Sequence, residues 1–342
     1  MSMLKKCAPL FSLIFFSSWI VSRSYSQTHG PNYIPPTGIL SDAGGHKLHL
    51  DPEGKGSPTI IFENGTGDFS FIWSLVQPEV AKFTSTVSYD RAGYAWSDPG
   101  PMPRTGKQIC LELHTALMNA GIRPPYILVG QSFGGFVVRA FARYYPREVV
   151  GMVLVEAVQE DQRIFMGGDE PKKIRDFAKG RVAPTPQSSF TPPDTAAEAQ
   201  KLNTEIDPLL DKLPGSVQKM QIWAQSQPAF MKAVSGEMDW SPEDVADLYN
   251  HKGEPGYTFG GMPLIVLTRG KGGYDGRKDS LQLENERLQA QKDLAHLSTN
   301  SKQIIDMNSG HNIHVEDPAV VISAIKEVFV AATKHSHLKQ TK

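Results

Sequence analysis

The segment LVGQSFGGF, Leu128 to Phe136, ends an apolar run on a serine set among three glycines. Glycine weakens strands and helices alike, so a cluster here requires a geometric reason. The spacing Gly130-x-Ser132-x-Gly134 supplies one: a strand-to-helix turn so sharp that large flanking side chains would collide. In such a turn the serine hydroxyl projects from the top of a sheet, and neighbouring backbone N–H groups face the same space.

The surrounding sequence has the rhythm this turn needs. TIIFENG (Thr59 to Gly65) and STVSYD (Ser85 to Asp90) are short β-branched runs. RTGKQICLELHTALMNAG then places Ile109, Leu113, Leu117 and Ala120 on one helical face, with Gly121 as its stop. The strand YILVG, the Gly-Ser turn and a helix ending at Pro146 follow. VVGMVLVEA is a continuous apolar run, as a central parallel strand covered on both faces requires. This alternation predicts an α/β fold with a doubly wound, mostly parallel sheet. From Ala157 to Phe259 the alternation breaks. Helix-like segments at about 196–213, 217–233 and 242–249, with no strand candidate between them, predict an inserted α-helical cap. The rhythm resumes with PLIVLTRG (Pro263 to Gly270), a helix over about 281–297, KQIIDM, and a helix from Pro318 to Ala332. The expected organisation is therefore a core of residues 27–156 and 260–342 interrupted by a cap over 157–259.

Lys5 and Lys6 precede CAPLFSLIFFSSWIV, and Ser24-Tyr25-Ser26 offers small residues for cleavage, so residues 1–26 read as a secretory signal peptide. The apolar run is short for a bilayer span, and the mature chain is expected in the periplasm or outside the cell, without stable membrane insertion. Cys7 would leave with the signal, and Cys110 alone cannot form an intrachain disulfide. A hydrophobic content of 40% and a formal net charge of −1 fit a globular protein without a basic footprint for nucleic acid.

Three landmarks in order carry a resemblance: SYDRAGYAWSDPGP (Ser88 to Pro101), GQSFGG, and SGHNIHVEDP (Ser309 to Pro318). Together they resemble the loop after the fourth strand, the nucleophile elbow and the terminal histidine loop of α/β-hydrolases with a helical cap. The likeness covers nearly all of the mature chain. It implies Ser132 as nucleophile and a late histidine as its base, with His311 preferred and His314 as runner-up. A serine in place of the aspartate of dehalogenases and epoxide hydrolases points to acyl transfer. The oxyanion hole would combine the N–H groups of Phe133 and Thr66. Many relatives carry His-Gly where this chain has Asn64-Gly65, which bears on how that loop is anchored. Asp90 and Arg91 read as structural supports beneath the site. His29, His46, His49, His335 and His337 read as solvated side chains, and His114 and His296 as helix-borne.

The acid has two candidates. Glu156 ends a fully apolar strand, where its burial requires a partner such as the His311 ring. Asp275 follows the strand PLIVLTRG but lies among glycines. Glu156 is preferred, and Asp161 is a third position. In the cap, Met220, Trp223, Phe230, Met231 and Trp240 exceed what small helices need for packing, so Trp223 and Phe230 are expected to line a substrate pocket. The chain lacks GxxxxGK[ST], GxGxxG and HExxH motifs, and neither a cofactor nor a metal is expected. The reading is an exported serine hydrolase acting on a small ester-like molecule with an apolar moiety, with an amide or thioester as variants. Its rivals are a lyase or perhydrolase on the same triad, and a hydrolase-fold receptor with little turnover.

Overall fold

The structure, a computed structural model, describes residues 34–164, 170–179, 208–254, 256–274 and 276–339. His29 and the proposed signal segment lie outside them, as do Asp275 and residues 196–207 of the first expected cap helix. Among the described residues no helix is long and apolar enough to cross a membrane.

Eight strands form one sheet. They are β1 (Ile39–Asp42), β2 (Lys47–Glu53), β3 (Thr59–Glu63), β4 (Thr86–Tyr89), β5 (Tyr126–Gln131), β6 (Val149–Val155), β9 (Leu264–Arg269) and β10 (Ser301–Asp306), in the order β1-β2-β4-β3-β5-β6-β9-β10. From β4 to β10 every pairing is parallel, and only β1–β2 and β2–β4 are antiparallel. Strands β3, β4, β5 and β9 are buried at every residue, which explains their continuous apolar sequence. The two antiparallel edge strands escaped the sequence reading. β1 has four residues and is mostly exposed, β2 has seven and is buried only at Leu48, His49 and Leu50, and a Gly44-Gly45 turn joins them.

The register decides where chemistry can assemble. Glu63 lies opposite Gly130, Gly130 opposite Leu154, and Leu154 opposite Val266. The residues that follow β3, β5, β6 and β9 therefore emerge together at the carboxyl edge, where ligands bind in such sheets. Helices α1 (Gln77–Val80), α2 (Gly106–Asn119) and α3 (Phe133–Tyr144) belong to the first half of the core. Ile109, Leu113 and Leu117 of α2 are buried with Val137 and Phe141 of α3 in the main apolar cluster. Cys110 is buried there as a free thiol.

Between β6 and β9 the structure corrects two expectations. A two-stranded antiparallel ladder, β7 (Arg163–Ile164) with β8 (Lys172–Lys173), lies where no strand was foreseen. Two-residue strands are too short to leave a period in the sequence. After α4 (Gly215–Gln225), a single helix α5 runs from Pro228 to Asn250, straight through Pro242. The gap expected between Ala233 and Pro242 does not occur, and tertiary contacts on both sides of the proline hold the helix down: Glu237 bonds Arg91, and Asp244 accepts from the Gly106 N–H at 2.7 Å. The remaining helices are α6 (Ser280–Ala295), α7 (Ile313–Glu316) and α8 (Pro318–Lys334).

Asp244 makes that docking sensitive to pH. Burial, with Asp247, Glu243 and Glu237 nearby, pushes its carboxyl up to about 7, against the Gly106 N–H that favours the charged form. A carboxyl whose pKa is higher folded than unfolded binds more protons in the folded state, so stability falls as pH rises from about 4 to about 7. Asp244→Asn keeps an acceptor for Gly106 but cannot ionise. The variant should melt with wild type only at about pH 3.5, below that window, and about 3 °C above it at pH 8. Thermal scans at both pH values check this, and an equal offset at both would contradict it.

Two histidine assignments also change: His46 lies largely buried with Nε2 3.3 Å from Glu112 Oε1, and His49 is more deeply enclosed. His49 is fully buried in β2, with Nδ1 2.7 Å from Asp90 Oδ2 and Nε2 2.7 Å from the Thr37 carbonyl. A position preceding a sheet read as loop had hidden its partner, 41 residues away.

Candidate active site

Ser132 is the residue on which β5 turns into α3. Its backbone stands at φ 52° and ψ −120°, a strained conformation for a residue with a Cβ. Three backbone hydrogen bonds hold it there. Its N–H donates to the Val155 carbonyl at 3.1 Å, and its carbonyl accepts from Gly135 N at 3.0 Å and Val158 N at 2.9 Å. The glycines have the reason the sequence demanded. A Cβ on Gly134 would lie 2.5 Å from the carbonyl oxygens of both Glu63 and Asn64, and one on Gly135 would lie 2.2 Å from Ala157 Cβ. Phe133 is the first residue of α3, so its N–H has no intrahelical acceptor.

The loop after β3 meets this turn. Asn64, which stands where many hydrolases have histidine, anchors it by a side-chain amide. Its Nδ2 donates to the Tyr89 carbonyl at 2.9 Å, and its Oδ1 accepts from Trp73 Nε1 at 2.7 Å. Arg91 donates to the carbonyls of Asn64 and Gly65, each at 2.8 Å. Asp90, beneath, accepts from Ser70 N at 2.8 Å and faces His49. Thr66 itself is exposed at the mouth of a cavity of about 250 Å³.

The histidine loop reaches the same place. Gln131, directly before Ser132, directs Nε2 at the His311 carbonyl and at Asn312 Oδ1, 3.5 and 3.4 Å away. Its Oε1 lies so close to Gly65 that a Cβ there would come within 2.3 Å. Gln131 therefore lies between the Thr66 loop and the His311 loop, a role its position in the motif did not reveal. The surrounding walls, and the guanidinium groups of Arg269 and Arg287, disfavour the imidazolium of His311 and lower its pKa to about 4. The residue nevertheless keeps access to solvent, and at neutral pH its ring is free to accept a proton. His314, the runner-up, is wholly buried against Trp73, with ring centroids 4.6 Å apart. Burial and His311 push its pKa down to about 3, and no solvent or polar partner reaches its nitrogens among the described residues.

Glu156 lies at the carboxyl edge and is buried, as expected, but the partner inferred for it is not the one it has. Its Oε1 accepts from Arg269 Nε at 3.1 Å and Arg287 Nη1 at 2.8 Å. Its Oε2 accepts from Arg269 N at 2.8 Å and Arg287 Nη1 at 3.1 Å. Four hydrogen bonds from three donor nitrogens engage both oxygens of the carboxylate, and no hydrogen bond joins it to the His311 ring. The sequence argument required a counter-charge and named the nearest titratable ring. The strand β9 and the helix α6 bring two arginines instead. Asp161 is likewise engaged elsewhere, by Lys173 at 3.1 Å and Arg175 at 2.8 Å.

The two aromatic residues expected to line a pocket part company. Phe230 lines the cavity beside Thr66 and packs on Phe69 and Tyr94, with centroids at 4.9 and 5.1 Å. Trp223 does not line that cavity and lies against Trp96, with centroids 5.3 Å apart. Ile72, Leu213 and Val315 give the cavity apolar wall, while Asp68, Gln221 and Asn312 give it polar wall. Among the described residues no cluster of His, Cys, Asp and Glu could hold a metal ion.

Residues 60–324 match the model of the alpha/beta hydrolase family. An uncharacterized protein of Bacillus subtilis (strain 168), YqjL, is 25% identical over 284 residues, which cover 83% of this chain and 88% of that one. Among solved structures, an epoxide hydrolase superposes with a TM-score of 0.63 at 17% identity, covering 86% of this chain and 98% of its own. An esterase of Thermogutta terrifontis does so with a TM-score of 0.58 at 18% identity, covering 87% and 99%. At such identities the two structures establish the fold alone, and the two proteins are named for different chemistries, an epoxide hydrolase and an esterase.

Proposed function

Because the chain belongs to the alpha/beta hydrolase family, we propose that it is an exported serine hydrolase that cleaves small carboxylic esters through an acyl-enzyme on Ser132. The observation that carries this reading is the strained turn at Ser132. It holds a serine at the carboxyl edge beside an unsatisfied helix N-terminus and the Thr66 loop. In this reading Ser132 Oγ attacks the ester carbonyl while His311 takes its proton. The carbonyl oxygen becomes an oxyanion bound by the Phe133 and Thr66 N–H groups. Collapse expels the alcohol, which receives the proton from His311. Water then attacks the acyl carbon, His311 accepts its proton, and Ser132 leaves with the acid product released.

The acid of this triad is assigned to Asp275 in place of Glu156, whose oxygens are engaged by arginine and amide donors. Asp275 is the other candidate that the sequence offers, in the loop that follows PLIVLTRG. The segment between β6 and β9 serves as the cap. A cavity of about 250 Å³ falls below the ~300–1,000 Å³ of drug-sized pockets and suits a short acyl or alcohol group. Export rests on residues 1–26.

A fluorophosphonate probe combined with a panel of simple esters tests the reading. Labelling at Ser132 with repeated turnover supports it. Labelling without turnover would favour a receptor, and turnover without hydrolysis a lyase or perhydrolase. Chain-length profiles of kcat/KM test the pocket. Phe230→Ala should shift the optimum to longer esters, and Trp223→Ala should reproduce the wild-type profile. The reverse pattern would move the pocket to the Trp96 side.

A further inference from the structure

Arg91 is buried, and all five of its N–H donors are spent. Nε donates to Glu237 Oε1 at 3.0 Å. Nη1 donates to Glu63 Oε1 at 2.7 Å and to the Asn64 carbonyl at 2.8 Å, and Nη2 to the Gly65 carbonyl at 2.8 Å and Tyr94 Oη at 3.3 Å. Four of those acceptors belong to the core. The fifth, Glu237, belongs to the inserted helix α5, and it lies 146 residues away in sequence. Its second oxygen accepts from Tyr94 Oη at 2.7 Å, and Tyr94 Oη in turn receives the Gly67 N–H at 3.4 Å. Thus one carboxylate of α5 fixes two side chains, and these grip the loop from 63 to 67 on both sides of Thr66. The approach is close enough that Gly93, at φ 87°, has no room for a side chain. A Cβ there would lie 2.7 Å from Ala233 Cβ.

We infer that Glu237 is a positioning residue for the oxyanion hole, and that docking of α5 and alignment of the Thr66 N–H are one event. The inference rests on the hydrolase reading above. Glu237 bonds Arg91 and Tyr94 and is not among the residues that line the cavity, so it acts through those two side chains. Glu237 takes Nε, the one donor for which the core offers no acceptor; without it that buried N–H is unsatisfied and the guanidinium plane can tilt toward another acceptor. Paired to Glu237 at Nε, its plane is fixed, and so are the two carbonyls that precede Thr66. An oxyanion donor contributes only when its N–H points at the position the charged oxygen will occupy. The inserted helix therefore sets transition-state binding, apart from any contact it makes with substrate.

The test compares Glu237→Ala and Glu237→Gln with wild type, using a short p-nitrophenyl ester and an alkyl boronic acid that forms a tetrahedral adduct on Ser132. For Glu237→Ala, kcat should fall about 10- to 100-fold with KM changed less than about threefold, below the ~10²–10³ cost of losing an oxyanion donor outright. Boronic acid affinity should fall in step with kcat/KM. Glu237→Gln keeps an acceptor for Arg91 Nε and should recover a large part of both losses. If Glu237→Ala does not fold, Glu237→Gln alone still reports, with a smaller loss in kcat matched by the boronic acid. Folded variants with wild-type kcat and boronic acid affinity would overturn the inference. A wild-type protein that neither turns over esters nor binds the boronic acid would instead overturn the hydrolase reading, and this inference with it.

Discussion

Ser132→Ala is expected to melt with the wild-type protein and to lose about 10⁴-fold or more in ester kcat, the loss that follows removal of a triad member. Stability is preserved because alanine has the same Cβ, so the strain at φ 52° and ψ −120° and the three backbone hydrogen bonds that balance it are unchanged. Ser132→Gly separates the two roles of the position. It should be equally inactive yet more stable by about 1 kcal/mol, because glycine relaxes the positive φ. Active-site titration, single-turnover kinetics and thermal scans read all three proteins. Turnover near wild type by a folded Ser132→Ala protein would end the mechanism proposed here.

The second large effect concerns the two carboxylates. Asp275→Asn is expected to keep the fold and to lose about 10³–10⁴-fold in kcat, as triads do when their acid is neutralised and the histidine tautomer is no longer fixed. Glu156→Gln should behave differently. It leaves the guanidinium groups of Arg269 and Arg287, both buried, facing an amide that brings donors of its own. Breaking a buried pair from one side costs about 3 kcal/mol or more, so this variant should lose stability first. Glu284, which also pairs with both arginines, softens that loss. The deciding measurement is kcat per folded active site, taken alongside the Tm. A stable Glu156→Gln protein with kcat reduced 10³-fold, beside an active Asp275→Asn protein, would return the acid to Glu156.

Sequence alone determined the parallel core and the turn at Ser132. Both depend on local constraints: apolar runs of strand length, helical spacing, and glycines that fill no other need. Each of these is written within about ten neighbouring residues, so a linear reading reaches it. The reading also picked out the loops that carry Thr66 and His311, but through the resemblance to α/β-hydrolases; the strand order that brings them together was not in it. It failed where the deciding contact joined distant parts of the chain. Glu156 was recognised as a buried charge in need of a partner, but only the packing of β9 and α6 shows that Arg269 and Arg287 supply it, 113 and 131 residues away. His49 was read as solvated because β2 was not foreseen as a strand, and its counter-ion Asp90 directly follows β4, the strand that pairs with β2. The stretch 234–241, Glu237 included, reads as a gap between two helical segments until α5 is seen docked on the core through Arg91 and Gly106. Local geometry is set by sterics between neighbours and is visible in the sequence. The pairing of buried charges depends on which surfaces meet, and that is decided only when the chain has folded.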